Sequence, residues 1–188
     1  MKRLLLLVIM VCVAMGASAQ QRKARTCNLI FIGNSITEGA LHANKKQTAP
    51  PVLAADFVGK KLSTDVHFRN CGRSGATTVD FLPELKRDFV RVERAIEEIK
   101  ALSYEPIIFS IMLGTNDSKP YNWKHHAEFK EDLRTLVRSF QELESHPQVY
   151  LCYPIPGTRW SWGINDSTTL HHVIPYIEEV ATEMNLPI

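Results

Sequence analysis

The chain is sparing with the residues that staple or ligate. It has four cysteines, and no two of them fall at a metal-ligand spacing. No cluster of histidine, aspartate and glutamate has ligand spacing either, so neither a metal nor a cofactor is expected. Cys12 lies in the N-terminal apolar run, which leaves Cys27, Cys71 and Cys152. Each falls in or beside a predicted strand, where cysteine behaves as a small buried hydrophobe. The chain has neither the Gly-Lys-Ser/Thr ending of a phosphate-binding loop nor the three-glycine dinucleotide fingerprint, which argues against a nucleotide-binding protein. Internal repeats and low-complexity linkers are absent, so one domain is expected. Charge excess is small, with 22 basic against 20 acidic residues. That balance gives no electrostatic reason to bind nucleic acid or an anionic membrane.

Only one apolar stretch is long. Lys2 and Arg3 precede Leu4 to Val13, and Ala17-Ser18-Ala19 offers a small-residue cleavage site. This is the pattern of a secretory signal, too short for a membrane span. Cleavage after Ala19 is expected, giving a secreted or periplasmic product that leaves the membrane. The mature chain then has a short N-terminal segment, residues 20–26, with a solvated cluster at Arg22, Lys23 and Arg25. One domain follows over residues 27–188.

In 188 residues, 45% hydrophobic and 22% charged, there is enough for a single α/β core. The apolar run Leu29–Ile32 reads as a strand ending at Gly33. Pro50-Pro51 opens a helix to about Lys61 with Val52, Leu53, Ala55, Phe57 and Val58 as its apolar face. Asp65–Asn70 is a second strand. Phe81–Leu102 shows helical spacing of Phe89, Val92, Ile96 and Ile99. Ile107–Leu113 is a nearly continuous apolar run, as in strands covered on both faces. Ala127–Leu143 is a helix with Phe129, Leu133, Leu136, Val137 and Phe140 inward. Val149–Tyr153 is a fourth strand, Thr169–Met184 a last helix, and Leu186-Pro187-Ile188 the first step of a fifth strand. Alternating strands and helices predict a doubly wound parallel sheet.

Two strand ends carry chemistry. Gly33-Asn34-Ser35 puts a serine two residues past the first strand, and Gly114-Thr115-Asn116-Asp117 follows the third. Taken alone, strand-Gly-x-Ser is also an ordinary turn. With Arg69-Asn70-Cys71-Gly72-Arg73-Ser74-Gly75-Ala76-Thr77 between them, the three segments resemble, in order, the blocks of the SGNH (GDSL-type) hydrolase family. Asn34 stands where that family more often has aspartate. The resemblance implies a three-layer α/β/α sandwich of flavodoxin-like topology. It also implies a serine esterase, with Ser35 as nucleophile. The backbone N–H groups of Ser35 and Gly75 and the side-chain amide of Asn116 would bind the oxyanion. Bland roles remain open: Gly75 as a turn glycine, Asn116 as a loop cap. Asp117 is expected to hold its loop together.

The family's fourth block, Asp-x-x-His, does not occur in these 188 residues. His171 and His172 come late, but they open a helix before the fifth strand, and a helix N-terminal surface is their expected place. The resemblance therefore predicts a chain that lacks its last strand and catalytic loop and is nearly inactive as it stands. A non-catalytic, glycan-binding relative is the alternative. The look of the third block, Phe109 to Ser118, is similar to secreted bacterial carbohydrate O-acetylesterases, with a small-molecule or glycan ester as substrate. Trp123, Trp160 and Trp162 follow strand ends, where indole faces suit sugar rings or pack beneath a loop. Oligomeric state is not legible.

Overall fold

The computed structural model describes residues 26–123, 126–155 and 161–188, the side chains of residues 126, 127 and 161 apart. The expected signal segment and Trp160 lie outside the described residues. Four parallel strands, β1 (Thr26–Gly33), β2 (Asp65–Asn70), β3 (Ile107–Met112) and β4 (Gln148–Leu151), form one sheet in the order β2-β1-β3-β4. Between them run α1 (Ser35–Glu38), α2 (Lys45–Thr48), α3 (Pro50–Leu62), α4 (Phe89–Lys100) and α5 (His126–Gln141). After β4 come α6 (Asp166–Thr168), a π-helical turn over Thr169–Val173, and α7 (Ile174–Glu183). The α/β class and parallel sheet expected from the sequence are those found.

One face of the sheet holds the core. Ile30, Ile32, Phe109, Ile111, Val149 and Leu151 are buried there. Against them pack Val92, Ala95, Ile96 and Ile99 of α4 and Phe129, Leu133, Leu136, Val137 and Phe140 of α5. The recurrence of these residues every three or four positions puts them on one helix face. Phe140 stacks between Phe89 and Phe109, with ring centroids 6.0 and 4.2 Å apart.

The opposite face is thinner and corrects one expectation. β3 alternates buried with half-buried residues, so Ile108, Ser110 and Met112 are not sealed as Ile107, Phe109 and Ile111 are. On that side the groove of about 150 Å³ bounded by Phe31, Ser110, Met112 and Cys152 is walled by Pro50, Pro51 and Ala54 of α3. α3 itself buries only Pro51 and Ala55, while Leu53 and Phe57 stand exposed; its predicted apolar face is only partly used. Of the three cysteines among the described residues, Cys71 alone is buried, Cys27 and Cys152 being half-buried.

The helix expected from Phe81 begins at Phe89. Residues 79–85 instead form two short 3₁₀ turns, because Pro83 disfavours helical backbone at Leu82 and Lys86 turns left-handed (φ 52°). The stretch from Ala40 to Thr48 contains α2. Pro175 explains the π turn ahead of α7. It has no N–H for the carbonyl four residues back and its ring crowds that carbonyl, so the preceding turn widens. Near the end, the Pro187 carbonyl accepts from Leu151 N–H at 3.1 Å. Cys152 N–H points the other way, to Ile111 in β3. Residues 186–188 thus lie along the free edge of β4, as the fifth-strand reading expects.

Candidate active site

Strand register delivers the three expected site residues to one end of the sheet. Gly33 pairs with Met112 across β1 and β3, so Ser35 and Gly114 each leave the sheet two residues later, side by side. On the other flank the β2 ladder continues past its strand. Cys71 N–H bonds the Phe31 carbonyl at 2.8 Å and Arg73 N–H the Gly33 carbonyl at 3.0 Å. Gly75 is two residues further. β1 has β2 on one side and β3 on the other, which makes its carboxyl end the switch point where open α/β sheets bind ligands.

Asn34 shapes the nucleophile turn. Its backbone is extended and its Oδ1 accepts Ile36 N–H at 2.9 Å, capping α1 so that Ser35 is the first helical residue. Asparagine performs this cap as well as the aspartate expected from the resemblance. Its buried Nδ2 has no hydrogen-bond partner among the described residues. Ser35 itself is half-buried, and its Oγ makes no hydrogen bond to a histidine among the described residues.

The Gly75 loop is held residue by residue from other elements. Glu38 Oε2 takes Ser74 N–H and Oγ–H, each at 2.7 Å. Asn116 Nδ2 donates to the Ala76 carbonyl at 2.9 Å. Asp80 Oδ2 takes Thr77 N–H and Oγ–H at 2.8 and 2.9 Å, and Asp117 takes Thr78 N–H at 2.9 Å. Asn70 joins this loop to the nucleophile turn, donating to the Thr37 carbonyl at 2.8 Å and accepting Gly72 N–H at 2.9 Å. Arg73 is paired with Asp80 at 3.2 Å and with Asp88. In the middle sits Gly75 at φ +81°, with nothing within 4 Å of where a Cβ would be. Its N–H has no partner among the described residues. Asn116 is buried and still has a second amide hydrogen after serving Ala76, since a carboxamide carries two.

Two carboxylates here depart from ordinary behaviour in opposite directions. The Ser74 hydroxyl and Lys45, 2.9 Å away, hold Glu38 down at about 2. Burial pushes Asp117 up to about 6, against the N–H groups of Thr78 and Gly114. Glu38, Asn70 and Asp80 were not singled out from the sequence. Their partners lie up to 36 residues away in the case of Glu38, and no local spacing signals that.

The aromatic residues divide. Trp123 is half-buried, packed on Phe129, His172 and Tyr176 at centroid distances of 5.8, 6.1 and 6.4 Å. That is packing beneath a loop. Trp162 is 76% exposed, in left-handed backbone (φ 66°). His171 and His172 are exposed on the π turn, the helix N-terminal surface expected for them.

Solved structures of GDSL-type hydrolases share this parallel α/β sheet. An acetyl xylan esterase superposes with a TM-score of 0.60 at 18% identity, covering 85% of this chain and 75% of that one. A two-domain esterase active on acetylated mannans gives 0.59 at 21%, covering 93% and 40%. A lipase/acylhydrolase from Enterococcus faecalis gives 0.59 at 23%, covering 86% and 74%. The chain belongs to the GDSL-like lipase/acylhydrolase family, whose model matches residues 31–188. An acetylxylan esterase from Xylanibacter ruminicola is 32% identical over 175 residues, 84% of this chain and 34% of that protein. The chain thus spans about a third of the length of that curated relative.

Proposed function

We infer that this chain carries the nucleophile turn and oxyanion donors of a serine esterase that removes O-acetyl groups from a glycan. The observation that carries the reading is the convergence of three strand ends. It brings Ser35, an exposed Gly75 N–H without a partner, and an Asn116 amide with a hydrogen to spare to one end of the sheet. Ser35 Oγ would attack the ester carbonyl. The N–H groups of Ser35 and Gly75 and the Asn116 amide would then receive the charge that develops on oxygen. Neutral donors fixed by the backbone need no rearrangement as that charge appears. The acetyl-glycan assignment draws on the name of the 32%-identical relative. Trp162, with its indole in solvent, is the residue suited to stack on a sugar ring; Trp160 is assigned with it on sequence position alone. Export after Ala19 belongs to the same reading.

The imidazole base is the part of the site not identified in these residues. Asp-x-x-His does not occur in these residues, and among the described residues no histidine is bonded to Ser35. Losing that histidine costs on the order of 10⁶ in kcat in a serine hydrolase. The oxyanion and binding contribution of ~10³–10⁴ over water remains. This favours a second reading, a glycan-binding chain without turnover. Hydrolysis of 4-nitrophenyl acetate and of acetylated xylan by the protein and by Ser35→Ala separates the two. Slow hydrolysis abolished by the substitution supports the esterase reading. Retention of acetylated xylan with no Ser35-dependent hydrolysis supports the binding one.

A further inference from the structure

Asp117 is buried, follows Asn116 directly, and gives its two oxygens to two different loops. Oδ1 accepts Thr78 N–H at 2.9 Å, three residues past Gly75. Oδ2 accepts Gly114 N–H at 3.1 Å, at the start of the turn that carries Asn116. With the bond from Asn116 to the Ala76 carbonyl, the two loops are joined by adjacent rungs. The carboxyl faces backbone N–H groups and the Thr78 hydroxyl rather than charges. Asp80, the nearest acid on the 3₁₀ turn, is engaged with Thr77, Arg87 and Arg73. His171 and His172 flank Val173, which packs on Gly114.

We propose that Asp117 is a positioning residue for the oxyanion hole, holding the Gly75 N–H and the Asn116 amide in register, and that only its carboxylate form does so. This rests on the esterase reading of Ser35, Gly75 and Asn116. Here the two N–H groups use the two oxygens separately. Protonation turns one oxygen into a hydroxyl, a weaker acceptor with a hydrogen of its own to place, so one of the two bonds weakens in a buried position. With burial pushing the group up to about 6, the change falls close to neutrality.

The test is an NMR titration of the isotopically labelled protein from pH 4.5 to 8, following the Asp117 side-chain carboxyl carbon. The backbone amides of Thr78, Gly114 and Gly75 and the side-chain amide of Asn116 are followed alongside. The expected result is one shared midpoint near 6 for all of them. Imidazoles titrate in the same range, so Asp117→Asn serves as the control: shifts due to Asp117 vanish in it and those due to His171 or His172 persist. If the Asp117 carbon titrates while Gly75 and the Asn116 side chain stay still, the residue is a structural staple and the proposal falls. It falls equally if they follow a histidine midpoint in both proteins. Should Asp117→Asn fail to fold, a protein with His171→Gln and His172→Gln serves as the control, in which shifts due to Asp117 persist and those due to the imidazoles vanish. These resonances report loop geometry whether or not ester is hydrolysed. An absence of Ser35-dependent turnover would overturn the esterase reading and leave the coupling of the two loops standing.

Discussion

Glu38 and Ser74, 36 residues apart in sequence, meet through one carboxylate oxygen that accepts both the backbone N–H and the hydroxyl of the serine. Glu38 ends the helix that Ser35 begins, and Ser74 immediately precedes Gly75. The contact is therefore a direct tie between the Ser35 turn and the Gly75 loop.

That tie has a pH signature. Glu38 is held at about 2, below its ordinary 4.5. A depressed carboxyl contributes stability that is fully present above 4.5 and lost as pH falls towards 2. Glu38→Gln is expected to melt below the wild type at pH 7 and to converge with it near pH 2. Thermal melts across that range check this, and a constant gap would show that the charge is irrelevant. Asp117 runs the other way. Its pKa is raised from 3.8 to about 6, so its contribution is largest below 3.8 and declines as pH rises to 6.

Two glycines with positive φ should respond differently to alanine. At Gly114 (φ +108°) a Cβ would stand 2.4 Å from Val173 Cγ1, adding overpacking to backbone strain, for a cost of about 2–4 kcal/mol. At Gly75 the new Cβ meets nothing, so only the strain of ~1–2 kcal/mol applies, yet the methyl would project where substrate must approach. Urea unfolding should rank Gly114→Ala well below Gly75→Ala, and residual hydrolysis should be lost in Gly75→Ala. Equal stabilities would contradict the packing at Gly114.

Asn116 tests the donor assignment. Residual hydrolysis expected of the site rests on its donors, so Asn116→Ala should lower the Ser35-dependent rate by ~10²–10³. Asn116→Asp should do no better, because a carboxylate has no hydrogen to give and would face the Ala76 carbonyl. An Asp variant with wild-type rates would remove Asn116 from the oxyanion hole.

The tryptophans separate packing from binding. Trp123→Ala removes a half-buried ring from a cluster with Phe129 and Tyr176, at about 2–3 kcal/mol, somewhat less than a fully buried ring. Trp162→Ala should change stability by roughly 0.5 kcal/mol or less but weaken retention on acetylated xylan. Unfolding curves paired with affinity electrophoresis decide this. Unaltered retention in Trp162→Ala would end its assignment to the sugar.

Much of the frame was legible in the sequence because it depends on neighbours in the chain. The apolar run ending at Gly33, the pair Pro50-Pro51, and the spacing of Phe129, Leu133, Leu136, Val137 and Phe140 all act within a few residues. Each produced the expected element. The error at Phe81–Leu102 was readable too, since Pro83 sits inside it; helical periodicity outweighed a local veto. By contrast, the outward-facing Leu53 and Phe57 could not be foreseen. Amphipathic spacing says which face is apolar and not whether anything covers it.

By itself, then, the sequence determined the strand order along the chain, the turn chemistry at Gly33-Asn34-Ser35 and the candidates Ser35, Gly75 and Asn116. Tertiary structure alone decided how those candidates are held. The register of Gly33 with Met112 sets Ser35 beside Gly114, and Glu38, Asn70 and Asp117 then secure the loops across long stretches of chain. Such bonds follow from which strand ends become neighbours in the sheet. That depends on a core assembled from every element at once, whereas local spacing reaches only a turn or two.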